Sequence, residues 1–281
     1  MNTLMQNALM NDVKNWLEED DLNRNIFYIK SLPSHEVELS LKIKSDLILA
    51  GTDYFLTVFS ALGFSSEKLN SISEFEGRRL KKGEMIDLGT APFGIALSAE
   101  RLSLNLLAHA SSIATFTNLF VEKTREHGIR ILDTRKTTPG LRALEKYAVR
   151  VGGGDNHRFG QSDVWMIKDN HKTSLGGLKK AYEFFKSQGT FYNSMVVEIH
   201  SIDELKEAIG LGIRHVMLDN FEPAKIQEAI AIKTSDMTFE ASGGIRLENI
   251  DQYLIRGLDA ISMGAITNAA PRVDISLKFK S

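Results

Sequence analysis

Between residues 133 and 160 the chain reads DTRKTTPGLRALEKYAVRVGGGDNHRFG. Two basic pairs, Arg135-Lys136 and His157-Arg158, stand on either side of three consecutive glycines, with Arg101 upstream and Lys168 downstream. Arginine offers a planar fork matched to carboxylate or phosphate, and lysine a mobile point charge. A site that uses both suits a ligand carrying more than one anionic group. A single basic residue is usually solvated surface; here four come as adjacent pairs and several stand at the ends of expected strands. His157 can serve as a neutral donor to a carboxylate or as an imidazolium, and nothing in the sequence makes it a general base. Gly152, Gly153 and Gly154 do not lie between a clear strand and a helix, and no Gly-Lys-Ser/Thr follows, so they do not make a nucleotide phosphate loop. They read as a turn that aims His157 and Arg158.

Acids and further glycines lie downstream. Glu198 and Asp219 each close a short apolar run. They could pair with a neighbouring lysine, bind sugar hydroxyls, hold Mg2+ through oxygen ligands, or stabilise positive charge developing on a ribose ring. Ser242-Gly243-Gly244, ahead of an expected helix near 247, and Gly264-Ala265 offer backbone N–H groups for phosphate.

These residues need a scaffold that brings strand ends together. Short β-rich runs fall at 129–132, 164–167, 195–199, 216–218, 239–241 and 260–263. The last four end near 198, 219, 242 and 264, spaced by 21–23 residues. Between them come expected helices at 204–209 behind the capping box Ser201-Ile202-Asp203-Glu204, at 226–232 behind Pro223, and at 247–255. A repeating βα unit implies a parallel α/β architecture. An α/β barrel gathers its site at the strand carboxyl ends. An open doubly wound sheet does the same, but no GxGxxG follows an early strand, and the barrel is preferred. Upstream, 98–127 has the period of a long helix, with Ser98 as N-cap. The first hundred residues mix alternation at 37–43, a strand and helix over 46–63, and a charged loop or edge at 76–82. That portion reads as a substrate-covering or dimer-forming module.

The bulk numbers exclude several functions. The 281 residues carry a net charge of −2 and no cysteine. Disulfides, thiolate metal sites and a cysteine nucleophile are thereby ruled out, and neither a nucleic acid nor a membrane is an expected partner. The amphipathic N-terminus lacks the pattern of a signal peptide. No uninterrupted apolar run of spanning length is evident, and a cytoplasmic location is expected.

Seven blocks, in order, resemble one family: ERLSLNLL (100–107), SSIAT (111–115), the 133–160 stretch, MIKDNH (166–171), MLDN (217–220), EASGGI (240–245) and DAISMGAIT (259–267). The chain is similar to the quinolinate phosphoribosyltransferases, the carboxylating nicotinate-nucleotide pyrophosphorylases, from about residue 85 onward. The resemblance implies a type II phosphoribosyltransferase fold: an N-terminal α/β sandwich over 1–108, joined by 269–281, and an incomplete TIM-like α/β barrel over 109–268. It also implies a homodimer with shared active sites, or a hexamer, and Mg2+ as cofactor. The implied reaction joins quinolinate to 5-phosphoribosyl-1-pyrophosphate, releasing pyrophosphate and CO2 and leaving nicotinate mononucleotide, a step of de novo NAD synthesis.

By the same resemblance, Arg135, His157, Arg158 and Lys168 grip the dicarboxylate, with Arg101 reaching in from a partner subunit and Lys136 near pyrophosphate or substrate. Glu198 and Asp219 face ribose and Mg2+. Ser242, Gly243, Gly244, Gly264 and Ala265 hold the 5-phosphate. Two departures stand out: EEDDLNRNIF (18–27) where the family has an acidic-glycine segment, and Asn268 where a histidine is common. The rival readings are a related phosphoribosyltransferase-like protein found with molybdate transport and an inactive metabolite-binding paralogue. The intact TRKT, NHRFG and IKDNH blocks weigh against both.

Overall fold

A computed structural model describes residues 3–20, 31–189 and 194–280. Most of the divergent 18–27 segment lies outside the described residues. The chain forms two compact units: Met1–Phe116 with Ala143–Gly152 and Ala270–Ser281, and Thr117–Arg142 with Gly153–Ala269.

In the first unit, β1 (Glu36–Ile43) is the central strand of an antiparallel sheet between β4 (Met85–Pro92) and β11 (Ile275–Lys280). Its alternating sequence puts Val37, Leu39, Leu41 and Ile43 on the buried face, as the two-residue period requires. A shorter pair joins β2 (Leu47–Ile48) to β3 (Arg79–Leu80). Helix α1 (Thr3–Glu19) buries Leu9, Val13 and Leu17, one turn apart. Helix α2 (Thr52–Ala61) starts after a left-handed Gly51, and the Glu76 carboxylate accepts from the backbone N–H groups of Gly51 and Thr52, both at 2.9 Å. That residue, in the expected loop, satisfies donors that every helix start leaves open.

The long helix α3 runs Phe93–Thr124. Ser98 is therefore not its N-cap. It sits more than a turn inside, and its hydroxyl donates to Gly94 O at 2.8 Å, the back-bonding open to an interior serine. By length and composition alone Phe93–His127 is long and apolar enough to cross a membrane, but 56 % of its apolar window is buried within the protein. Burial of that kind is what a core helix shows. Helix α4 (Arg142–Val151) follows.

The second unit holds a six-stranded parallel sheet in the order β5-β10-β9-β8-β7-β6. Its strands are β5 (Arg130–Leu132), β6 (Trp165–Ile167), β7 (Met195–Ile199), β8 (His215–Asp219), β9 (Thr238–Ser242) and β10 (Ala260–Ser262). A single bridge from Leu132 to Asp155 extends the β5 edge. Among the described residues no full strand closes the ring, which is the incomplete barrel expected. Helices α5 (Asp169–Leu175), α6 (Leu178–Gln188), α7 (Ile202–Gly210), α8 (Pro223–Ala231) and the short α9 (Ala265–Asn268) connect the strands.

Two local expectations change. Ser201 Oγ caps α7 by accepting from Glu204 N at 3.1 Å, but the Glu204 carboxylate accepts from His200 N at 2.9 Å and from Lys172 instead of closing the box. The helix expected at 247–255 is only a 3-10 turn, Ile250–Tyr253. Asn249 accounts for this: its side chain accepts from Arg246 N and donates to Gly244 O, a local alternative to helical hydrogen bonding.

Candidate active site

Parallel register sets Glu198, Met217, Glu240 and Ala260 side by side on β7 to β10, with Asp219, Ser242 and Ser262 two residues on. Every second residue along a strand shares a face, so the acidic and hydroxyl side chains meet at the carboxyl ends of the strands. There a cavity of about 780 Å3 opens within the second unit, in the size range of small-molecule sites. Arg135, Lys136, His157, Arg158, Lys168, Glu198, Asp219 and Ser242 all line it. Gly243, Gly244, Gly264 and Ala265 follow the ends of β9 and β10 just beyond. Arg101 lies in the first unit, exposed on α3.

The cationic wall is built by a loop with a buried acid at its centre. Asp133, 0 % exposed, accepts from His157 N at 2.9 Å and from Asn156 Nδ2 at 2.5 Å. Gly153 turns the chain with φ 89, beside Val121, and Asp155 N then donates to Ile131 O at 2.7 Å. The triple glycine shapes a turn, as expected, and what it sets in place is Asp155 to Arg158. Burial, and then the charge of Arg135, pull the Arg158 guanidinium below its ordinary value. Arg135 Nε is buried without a hydrogen-bond partner. Among the described residues no carboxylate pairs with either arginine. Two like charges held together and left unneutralised form a site for an anion.

His157, open in the sequence between a neutral donor and an imidazolium, has both ring nitrogens engaged. Its Nδ1 accepts from Arg158 N–H at 2.7 Å and so carries no proton, while Nε2 lies 3.4 Å from Glu240 Oε2. A ring that accepts at Nδ1 presents its N–H on Nε2, toward Glu240. The charge of this wall comes from Arg135, Lys136 and Arg158.

The acidic wall faces it. Lys168 Nζ donates to Glu198 Oε2 at 2.6 Å, and the nearly buried Lys172 donates to Glu198 O at 2.9 Å and to the Glu204 carboxylate. Asp219 is raised from its ordinary value, first by burial and then by the charge of Glu198, against the pull of His200, Lys168 and Lys136. Asp169, Glu198 and His200 bring one donor atom each within 4.8 Å of one another. His200 Nε2 is 2.6 Å from Asp169 Oδ1 yet has no partner in hydrogen-bond geometry. Close contact off the hydrogen-bond axis, with two carboxylates and one imidazole gathered together, fits an oxygen-rich divalent cation site with one nitrogen donor. Sequence reasoning found Glu198 and Asp219 but not Asp169 or His200, which follow the strands by one or two residues.

It also missed an aromatic wall. Phe185 packs edge-on to Trp165 (5.6 Å between centroids) and to His171 (5.1 Å), and all three line the cavity. In the turn after β9, Gly243 and Gly244 have φ 95 and 66. No α-helix follows them, so their anion-binding capacity rests on the turn itself and not on a helix dipole. Lys136 packs so closely on Gly264 that a Cβ there would lie 2.7 Å from its Cδ.

The fold and cavity thus define a parallel α/β-barrel protein whose strand-end site suits a planar, polyanionic ligand beside a cation. Residues 25–111 match the N-terminal domain, and residues 113–278 the C-terminal domain, of quinolinate phosphoribosyl transferase. The chain belongs to the quinolinate phosphoribosyl transferase family. It is 40 % identical over 241 residues to the probable carboxylating nicotinate-nucleotide pyrophosphorylase of Bacillus subtilis, covering 85 % of this chain and 82 % of that one. With the carboxylating nicotinate-nucleotide pyrophosphorylase of Homo sapiens it shares 36 % identity over 276 residues, 95 % of this chain and 90 % of the other. The crystal structure of NadC from Streptococcus pyogenes superposes with a TM-score of 0.86 at 31 % identity, covering 100 % of this chain and 99 % of that one.

Proposed function

We propose that this protein transfers the phosphoribosyl group of 5-phosphoribosyl-1-pyrophosphate to quinolinate with decarboxylation, giving nicotinate mononucleotide, pyrophosphate and CO2. The observation that carries the reading is the pair Arg135 and Arg158, mutually repelling, partly desolvated and without a carboxylate partner. Two adjacent carboxylates on one flat ring match two forks on one wall, and Trp165, His171 and Phe185 offer that ring a flat-sided pocket.

In the reaction the pyridine nitrogen forms a bond to the anomeric carbon as the bond to the pyrophosphate oxygen breaks. No protein nucleophile is needed. Arg135, Arg158 and Lys136 fix the acceptor, the turn at Ser242–Gly244 with Gly264 and Ala265 fixes the 5-phosphate, and this alignment supplies much of the rate. Glu198 and Asp219 face the ribose, where negative charge stabilises the positive charge that develops on the sugar. Glu198 and Asp219, with Asp169 and His200 beside them, would hold a divalent cation, Mg2+ by family resemblance, which when bound would supply neutralising charge for the leaving pyrophosphate. Once alkylated, the ring nitrogen is positive. The neighbouring carboxylate leaves as CO2, its bonding electrons stay on the ring carbon, and a proton takes its place.

Arg101 belongs to this reading as a residue supplied to a partner subunit's site, in a homodimer or hexamer working in the cytoplasm. The assay is direct: purified protein with quinolinate, the phosphoribosyl donor and Mg2+, following nicotinate mononucleotide and CO2. Turnover of nicotinate with none of quinolinate would overturn the reading. Mixed dimers of Arg101→Ala and Arg135→Ala subunits should regain activity, and mixed dimers that form without regaining it would remove the shared site.

A further inference from the structure

Asn220 is the non-glycine residue with a left-handed backbone among those described, at φ 57, and it directly follows Asp219. Asparagine tolerates that region better than most residues, but such a conformation persists only where its surroundings enforce it. Three contacts do so. Its backbone N–H donates to Ser242 O at 2.8 Å, and its Nδ2 donates to Asp219 Oδ2 at 2.7 Å. Its Oδ1 lies 2.2 Å from the position a Cβ on Gly243 would take, so the amide fills the space that only glycine leaves open. One side chain is thereby seated on the diglycine turn after β9 and holds one oxygen of the carboxylate that closes β8.

We propose that Asn220 is a positioning residue that couples the anion-binding turn at Gly243–Gly244 to the alignment of the Asp219 carboxylate. The inference rests on the transferase reading above. In that reaction the 5-phosphate and the anomeric carbon belong to one ribose, so the turn that holds the first and the carboxylate that faces the second must keep a fixed separation. The barrel strands fix it only to the ends of β8 and β9. Beyond those ends the Asn220 amide links the two, and it occupies Oδ2 of Asp219, which leaves Oδ1 for the ligand.

A bland alternative is that asparagine stands here only because it suits a left-handed turn. Asn220→Gly separates the two, since glycine adopts the same φ without strain but has no amide. A turn role alone predicts an unchanged kcat. The coupling role predicts a folded protein whose kcat falls roughly ten- to a hundredfold, the range that ångström-scale misplacement produces. KM for the phosphoribosyl donor should rise severalfold, and KM for quinolinate, held by the opposite wall, should stay within about twofold, the split expected when one set of contacts is lost. Asn220→Ala should show the same kinetic split together with a lower Tm, because alanine resists the left-handed backbone. Full kcat in Asn220→Gly, or equal increases in both KM values, would overturn the proposal while leaving the transferase reading in place. No turnover of quinolinate by the unaltered protein in the same assay would sink that reading, and this proposal with it.

Discussion

Substituting Gly264 with alanine should separate stability from activity. Gly264 has φ −71 and ψ −21, so alanine meets no backbone strain there. It lowers the conformational freedom of the unfolded chain, a stabilisation of about 0.4–1 kcal/mol. Against this, the new methyl would lie 2.7 Å from Lys136 Cδ and 3.1 Å from its Cβ. Backbone movement is resisted, because the single Thr267 Oγ1 proton is shared between Lys136 O (2.8 Å) and Gly264 O (3.0 Å), tying the two segments together. The Lys136 side chain is exposed, so it can swing outward, and the overpacking cost stays near the low end of about 1–3 kcal/mol. The two terms nearly cancel, and the Tm should move by no more than about 3 °C. The ammonium group leaves its place by about an ångström, which is expected to cost roughly a hundredfold in kcat/KM. Thermal unfolding by circular dichroism and initial rates of nicotinate mononucleotide formation on one preparation test both halves. A large fall in Tm would show that Lys136 cannot yield, and unchanged kcat/KM at wild-type Tm would show that its position does not matter.

Three further outcomes follow from the same geometry. Asp219 is raised above its unfolded value, so its ionised form weakens the fold at neutral pH and that penalty is relieved as pH falls through the folded value; Glu198→Gln removes the like charge, and carbon NMR should find the Asp219 carboxyl titrating at lower pH than in the parent. Lys172→Met leaves the Glu204 carboxylate and the Glu198 carbonyl without their shared donor, and denaturant unfolding should show a loss of about 3 kcal/mol, a value under 1 kcal/mol refuting a structural role for that lysine. His200→Ala removes the nitrogen donor of the acidic cluster, so binding of Mn2+, read by electron paramagnetic resonance of the free ion, should weaken more than binding of Mg2+; equal weakening of both would place the cation away from His200.

Much of the barrel was legible because its signals are local. A strand's apolar run, the polar residue that ends it and the helix that follows repeat along the chain, and this periodicity needs no knowledge of the partner strands. The same holds for the alternation that buries Val37, Leu39, Leu41 and Ile43 and for Pro223 at the start of α8. Local signals also misled. Ser98 has the chemistry of an N-cap, yet α3 begins at Phe93. The 247–255 stretch has helical spacing, but the Asn249 side chain takes the hydrogen bonds a helix needs.

Residue type and adjacency in the sequence determined the parallel α/β class, the basic pairs at 135–136 and 157–158, and strand-end acids at 198 and 219. Only the tertiary structure decided what each group is free to do. His157 turns Nε2 toward Glu240 because Arg158 N–H occupies its Nδ1, and Asp169 and His200 join Glu198 because β6 and β7 are neighbours. Phe185 meets Trp165 and His171 only once α6 packs beside the strand. Asn220 and Gly243 fit each other across 23 residues of sequence because β8 and β9 run side by side. The physical reason is the same throughout: hydrophobic period and turn chemistry act between near neighbours in the chain, whereas charge state, ligand geometry and strain depend on atoms that only folding brings within a few ångströms.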